Sequence, residues 1–264
     1  MPPASDTIES PSAVGPPGAA SPAPCPPHPL AAAAERYWVR SREPLTALVF
    51  VAPLLVIYEA GVLLLGPQAI RNGADVWLRT GLDRLGLGPY FLLPALTVAL
   101  LLAWHHTTGR PWRFSRAVVW GMAAECVLLG YCLRGILLLQ AALLSVEISA
   151  PGIGEQGRLA SAIGYLGAGL YEEVLFRLIL LPAATASLLA AGVAARPAVV
   201  AAVVSTSLVF SAAHYVGPYG DPFLAFSFTF RFLAGVFFAT LFIYRGFGIA
   251  AGAHATYDLL VGLA

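Results

Sequence analysis

The chain contains no lysine; all fifteen of its basic residues are arginine. Fourteen acidic residues nearly balance them, so a net charge of +1 offers no surface for nucleic acid and says little else about partners. Charge of either sign is scarce, at 11% of residues against roughly 25% in an ordinary soluble domain. Together with 58% hydrophobic residues, that scarcity excludes a soluble globular protein and points to an integral membrane one. The three cysteines, Cys25, Cys126 and Cys132, form no metal-type cluster, and packing explains the two that lie in an apolar run. The start of the chain lacks the basic segment and apolar core of a secretion signal. "PAPC" before Cys25 has no apolar run ahead of it and reads as incidental. No internal repeat is visible.

What is present divides into two parts. Residues 1–34, rich in proline and alanine and poor in large apolar groups, are expected to form a disordered tail. Residues 35–264 are expected to form one membrane domain. Its apolar stretches at 44–66, 89–105, 117–146, 160–181, 183–195, 197–216, 222–244 and 246–264 predict an all-α, polytopic bundle of about eight transmembrane helices. The join at Leu181 and Pro182 is either a loop between spans or a break in one longer helix, which would leave seven. Residues 72–88 alternate apolar and charged groups at helical spacing, the pattern of a segment lying at the interface. Arginines flanking the predicted helices tie at six on each side, and those before the first helix favour a cytoplasmic N-terminus.

Ionisable residues inside predicted spans are costly unless they face protein or water. Glu59, Glu125, Arg134 and Arg231, taken singly, read as structural groups satisfied by neighbours. The remainder come in spaced groups. In "YEEVLFR", Glu173 and Arg177 share a helix face while Glu172 points about 100° away, so one carboxylate pairs with the arginine and the other is free for different work. A poorly hydrated carboxylate beside a second one accepts a proton readily, which makes Glu172 a candidate general base. The same i, i+4 spacing places Phe210 over His214 in "FSAAH" and His254 one turn from Asp258 in "HATYD". Glycines at 164, 167 and 169, and at 248 and 252, favour close approach of the helices that carry these motifs.

These three motifs, in this order on separate predicted helices within residues 160–264, resemble the signature of the CPBP family of CAAX-processing and bacteriocin-processing intramembrane endopeptidases, also called the Abi family, which includes the Ras-converting CAAX proteases. The resemblance implies a glutamate-dependent intramembrane peptidase with a cavity open toward the cytoplasm. Under it, Glu172 with His214 activates a water, and His254 with residue 258 stabilises the oxyanion. Glu173 and Arg177 hold the helix and tune Glu172, and Phe210 lies at the substrate. Position 258 is aspartate where the Ras-converting enzymes carry asparagine. An ionised aspartate repels an oxyanion, so Asp258 is either protonated, or orients His254, or marks a different subfamily.

No cofactor is implied. A zinc protease is the rival enzyme, since two histidines and two glutamates are respectable ligands, but the His-Glu-x-x-His string of a zincin is missing. A transporter or scaffold would also place carboxylates and arginines in the membrane, yet the related halves expected of a transporter are not seen. The expected partners are the bilayer and a membrane-anchored protein or peptide, carrying a lipidated tail or a C-terminal sorting tail of the kind processed by the myxosortase branch. The arginine-only, alanine-rich composition suggests a GC-rich bacterial genome and hence a bacterial inner membrane.

Overall fold

A computed structural model describes residues 29–66, 71–88, 90–147, 157–217 and 220–263. Residues 1–28 of the expected tail lie outside the described residues, and helix α1 (Pro29–Ser41) begins upstream of the boundary expected at residue 35. The described residues contain helices and no strand. After α1 come α2 (Pro44–Leu65), α3 (Gly73–Arg84), α4 (Leu92–Thr107) and α5 (Arg116–Leu144). The second half of the chain holds α6 (Gly157–Glu173), a π-helical segment (Val174–Leu180), α7 (Leu181–Ala190), α8 (Ala195–Ala213), α9 (Ala225–Arg245) and α10 (Phe247–Gly262).

Among the described residues, five rods are long and apolar enough to cross a membrane: Pro44–Leu65, Arg116–Leu144, Gly157–Ala190, Ala195–Ala213 and Ala225–Arg245. Large apolar side chains such as Leu64, Trp120 and Leu143 project outward from these rods, as lipid-facing residues do. The expected spans 160–181 and 183–195 are one rod of 34 residues, the longer broken helix that the Leu181–Pro182 join left open. The reason lies at Pro182. Its ring has no N–H to give and crowds the preceding turn, and the chain answers by widening into a π-helix, with Leu181 N–H bonding back to the Phe176 carbonyl. The helix continues instead of ending.

Helix α10 is the centre of the bundle and touches α2, α5, α6 and α9. Its Ile249, Ala250, Ala251 and Ala253 are fully buried, and the small side chains let neighbouring backbones come close. The closest approach is to α6 at Gly169, where an added Cβ would lie 2.4 Å from the Ala255 nitrogen. This contact sets Glu172 and Glu173, one turn on, beside His254. Gly169→Val is therefore expected to force the two backbones apart and cost about 3 kcal/mol or more. Gly164→Ala, with nothing within 4 Å, serves as the control in a thermal-unfolding comparison in detergent.

The polar residues read as structural groups have the neighbours expected of them. Glu125 is bonded by Arg245 at 2.6 Å and by the Tyr37 hydroxyl, tying α1 and α9 to α5. Arg134 donates to the Leu260 carbonyl, and Arg79 pairs with Glu59 at 2.8 Å.

Candidate active site

Glu172 and Glu173 end α6, and the helical turn sends them in different directions, as their adjacency requires. Glu173 is fully buried. It forms an ion pair with Arg177 at 3.0 Å across one turn, and its Oε1 accepts from His254 Nδ1 at 2.7 Å. Arg177 is buried as well, donates to the Gly235 carbonyl on α9 at 3.2 Å, and lies 4.4 Å over the Phe210 ring. A guanidinium in so dry a setting needs both the carboxylate and the aromatic face.

Glu172 faces a cavity of about 540 Å³. Its Oε2 is buried and accepts no hydrogen bond among the described residues, while His254 Nε2 stands 3.7 Å away and His214 Nε2 3.9 Å away. Both gaps exceed a direct hydrogen bond. His214 caps the end of α8 and donates from Nδ1 to the Phe210 carbonyl at 2.9 Å, which fixes its ring with Nε2 toward Glu172. Phe238 stacks on His254 at 4.3 Å between ring centres, and Asp258 Oδ2 stands 3.6 Å from His254 Nε2. Thus α6, α8 and α10, each bearing one motif, bring their polar groups to a single point. Residues 155–260 match the family described as type II CAAX prenyl endopeptidase Rce1-like.

Over that stretch the chain is similar to the Rce1-like family. The match covers all three motif helices and supports a membrane endopeptidase. No curated protein and no solved structure matches the chain.

Within this segment His254 has a different carboxylate at each ring nitrogen. Nδ1 is held by Glu173, so Asp258 faces Nε2, the nitrogen that also faces Glu172. Phe210 is almost wholly buried. Its ring packs on His214 at 5.0 Å and His254 at 6.0 Å, and it is among the residues that line the cavity. Among the described residues no group of three or more His, Cys, Asp and Glu is arranged to hold a metal ion.

Outside the family match, one contact reaches the site that sequence reasoning missed. Asn72, in the segment before α3, donates from Nδ2 to Glu172 Oε1 at 2.8 Å. Its Oδ1 accepts from Ala74 N–H at 2.8 Å and so caps α3. The amide is therefore oriented by the cap, with its NH₂ group aimed at the glutamate. Helix α3 is itself anchored through buried Asp75, which is bonded by Tyr58, Arg71 and Arg79. Burial pulls the Arg71 guanidinium down, but its bonds to Asp75 and Tyr90 outweigh that and hold it above its ordinary range. The sequence marked residues 72–88 only as an interfacial segment, and the partner a hundred residues away was not legible.

Proposed function

We propose that the protein is an intramembrane glutamate endopeptidase that hydrolyses a peptide bond near the terminus of a membrane-anchored protein or peptide. The observation that carries the reading is the pair of unshared acceptors, Glu172 Oε2 and His214 Nε2, 3.9 Å apart on a cavity wall. In a neutral ring whose Nδ1–H is given to Phe210, Nε2 is a lone pair. One water donating its two protons to Oε2 and Nε2 turns its oxygen lone pair toward the cavity, where a scissile carbonyl arrives. Glu172 takes a proton as the oxygen attacks, and later returns it to the leaving amine.

His254 stands on the other side of Oε2. With its Nδ1–H given to Glu173, a proton on Nε2 serves the oxyanion. Glu173 and Arg177 orient this ring and are not in the reaction path. Asp258 beside Nε2 keeps positive charge at that nitrogen favourable, which gives the aspartate a role that does not require it to touch the oxyanion. Asn72 holds Oε1, leaving Oε2 as the basic oxygen. The substrate class is a lipidated tail or a C-terminal sorting tail, and the setting a bacterial inner membrane.

The test is cleavage of a membrane-anchored peptide by the purified protein in proteoliposomes, with and without a strong zinc chelator. The reading expects hydrolysis that survives the chelator and is lost in His214→Ala while the unfolding temperature is retained. Loss of activity to the chelator, restored by zinc, would refute it. Asn72→Ala is expected to lower kcat by about ten- to a hundredfold with the fold intact, as loss of a group that orients a reacting one does. Asn72→Asp, which sets a like charge against Glu172, is expected to cost more; equal activity of all three proteins in a steady-state assay would remove Asn72 from the account.

A further inference from the structure

The single rod Gly157–Ala190 changes which membrane face each later loop occupies. Because the chain crosses once there and not twice, the segments that follow lie on the face opposite to the one that two separate spans would give them. Side-chain contacts fix the two faces independently. Arg110 Nη1 lies 4.0 Å from Glu43, which brings the end of α4 back to the start of α2, and Arg245 at the end of α9 donates to the Trp38 carbonyl of α1. At the other face, Gln140 late in α5 donates to the Phe226 carbonyl at the start of α9, and the Tyr215 hydroxyl just after α8 pairs with Ser227. Helix α8 therefore starts on the face of α1 and ends on the opposite one.

Counted on these faces, arginine is no longer balanced. Arg196 at the start of α8 and Arg245 at the end of α9 join Arg36, Arg40 and Arg42, and Arg110, Arg113 and Arg116, on the face of α1. The other face keeps Arg71, Arg79, Arg84 and Arg158, so the tie of six becomes eight to four. Two of those four, Arg71 and Arg79, are also paired with buried Asp75. Basic residues near span ends are retained on the cytoplasmic side, since carrying them outward opposes the membrane potential.

The cavity lies toward the arginine-poor face. Its wall includes Asn72 before α3, Ser161 in the first turns of α6, His214 at the end of α8, Ser227 in the first turn of α9 and Asp258 late in α10. Each sits toward the end of its element remote from α1, and Asn72, Ser161 and Ser227 stay partly exposed there. We propose that the cavity opens on the non-cytoplasmic side, and that the substrate is a protein whose scissile segment has already been exported across this membrane. This reverses the cytoplasmic opening that the family resemblance implies, and between the two tails considered above it selects the sorting tail of an exported protein. For its substrate the inference rests on the peptidase reading; the orientation is measured without it.

The experiment uses the full-length protein in a bacterial inner membrane, with Cys25, Cys126 and Cys132 replaced by alanine and one cysteine returned at an exposed site. Pro111→Cys and Ala191→Cys report the face of α1, and Glu147→Cys and Val216→Cys the face of the cavity. In intact spheroplasts a membrane-impermeant maleimide is expected to label positions 147 and 216 directly, and positions 111 and 191 only after permeabilisation. The reverse pattern, or labelling of all four in intact spheroplasts, would overturn the inference. A second measurement needs no substitution in the bundle. Helix α10 ends on the cavity face, where the Tyr165 hydroxyl from α6 donates to the Gly262 carbonyl, so alkaline phosphatase fused to the C-terminus of the native chain is expected to be exported and active. A silent fusion would overturn the inference as well. Cleavage of a membrane-anchored peptide added from outside is then followed in sealed vesicles of both orientations. Right-side-out vesicles are expected to cut it, and inside-out vesicles only once permeabilised; cutting by sealed inside-out vesicles alone would overturn the substrate class. The expected labelling with no cleavage in either vesicle would uphold the orientation and strike the peptidase reading itself.

Discussion

Glu172→Gln is expected to reduce peptide cleavage by at least about a thousandfold in kcat while leaving the protein folded. The substitution keeps the side chain's volume, and the amide oxygen still accepts from Asn72. It removes the single property the mechanism needs, an oxygen that takes a proton from water. Because Oε2 accepts no hydrogen bond from a described residue, the change breaks no structural bond there. A thermal-unfolding curve superimposable on that of the native protein, with no product in a single-turnover assay, is the combined result to look for. Residual activity within about tenfold of native would assign the base elsewhere.

Arg177→Met is expected to have the largest effect on stability. It leaves Glu173, fully buried, facing His254 without its guanidinium, and it removes the bond that ties the π-helical segment to Gly235 on α9. Breaking one side of a buried pair of this kind costs about 3–5 kcal/mol, chiefly because the remaining charge is uncompensated. The double variant Glu173→Gln/Arg177→Met removes both charges and is expected to recover much of that loss, yet to stay poorly active because His254 is no longer held by a carboxylate. Unfolding midpoints in detergent for the two single variants and the double variant measure this. A double variant no more stable than Arg177→Met would show that the guanidinium acts through its packing on Phe210 and not through the pair.

The sequence made the motif helices legible because each rule involved is local. A span needs its apolar length, and residues four apart on a helix share a face, so the Glu173–Arg177 and His254–Asp258 pairings and the outward turn of Glu172 follow from spacing alone. Two features depended on tertiary placement and were not legible. The first is which carboxylate holds His254 Nδ1: the close contact of Gly169 with Ala255 brings Glu173 from α6 to 2.7 Å, while Asp258, one turn away on the same helix, faces Nε2. The second is Asn72, which lies in a stretch whose pattern marked only an interfacial segment. Pro182 is intermediate. A break or a join were both open there, and the π-helical turn that absorbs the proline decides for one rod.

Arg231 shows the limit of reading polar residues one at a time. Its pairing with Asp221 is the structural role expected of an isolated arginine in a span, but only the placement of α9 along the cavity shows that one nitrogen of the guanidinium is left over.

The central claim is that Glu172 and His214 act on the same water in one step. The most direct measurement is a double-mutant cycle on single-turnover cleavage, comparing Glu172→Gln, His214→Ala and the combined variant. Groups that act as a unit are lost together, so the combined variant should be no slower than Glu172→Gln alone. Losses that multiply, each substitution exacting its full factor in the presence of the other, would contradict the account.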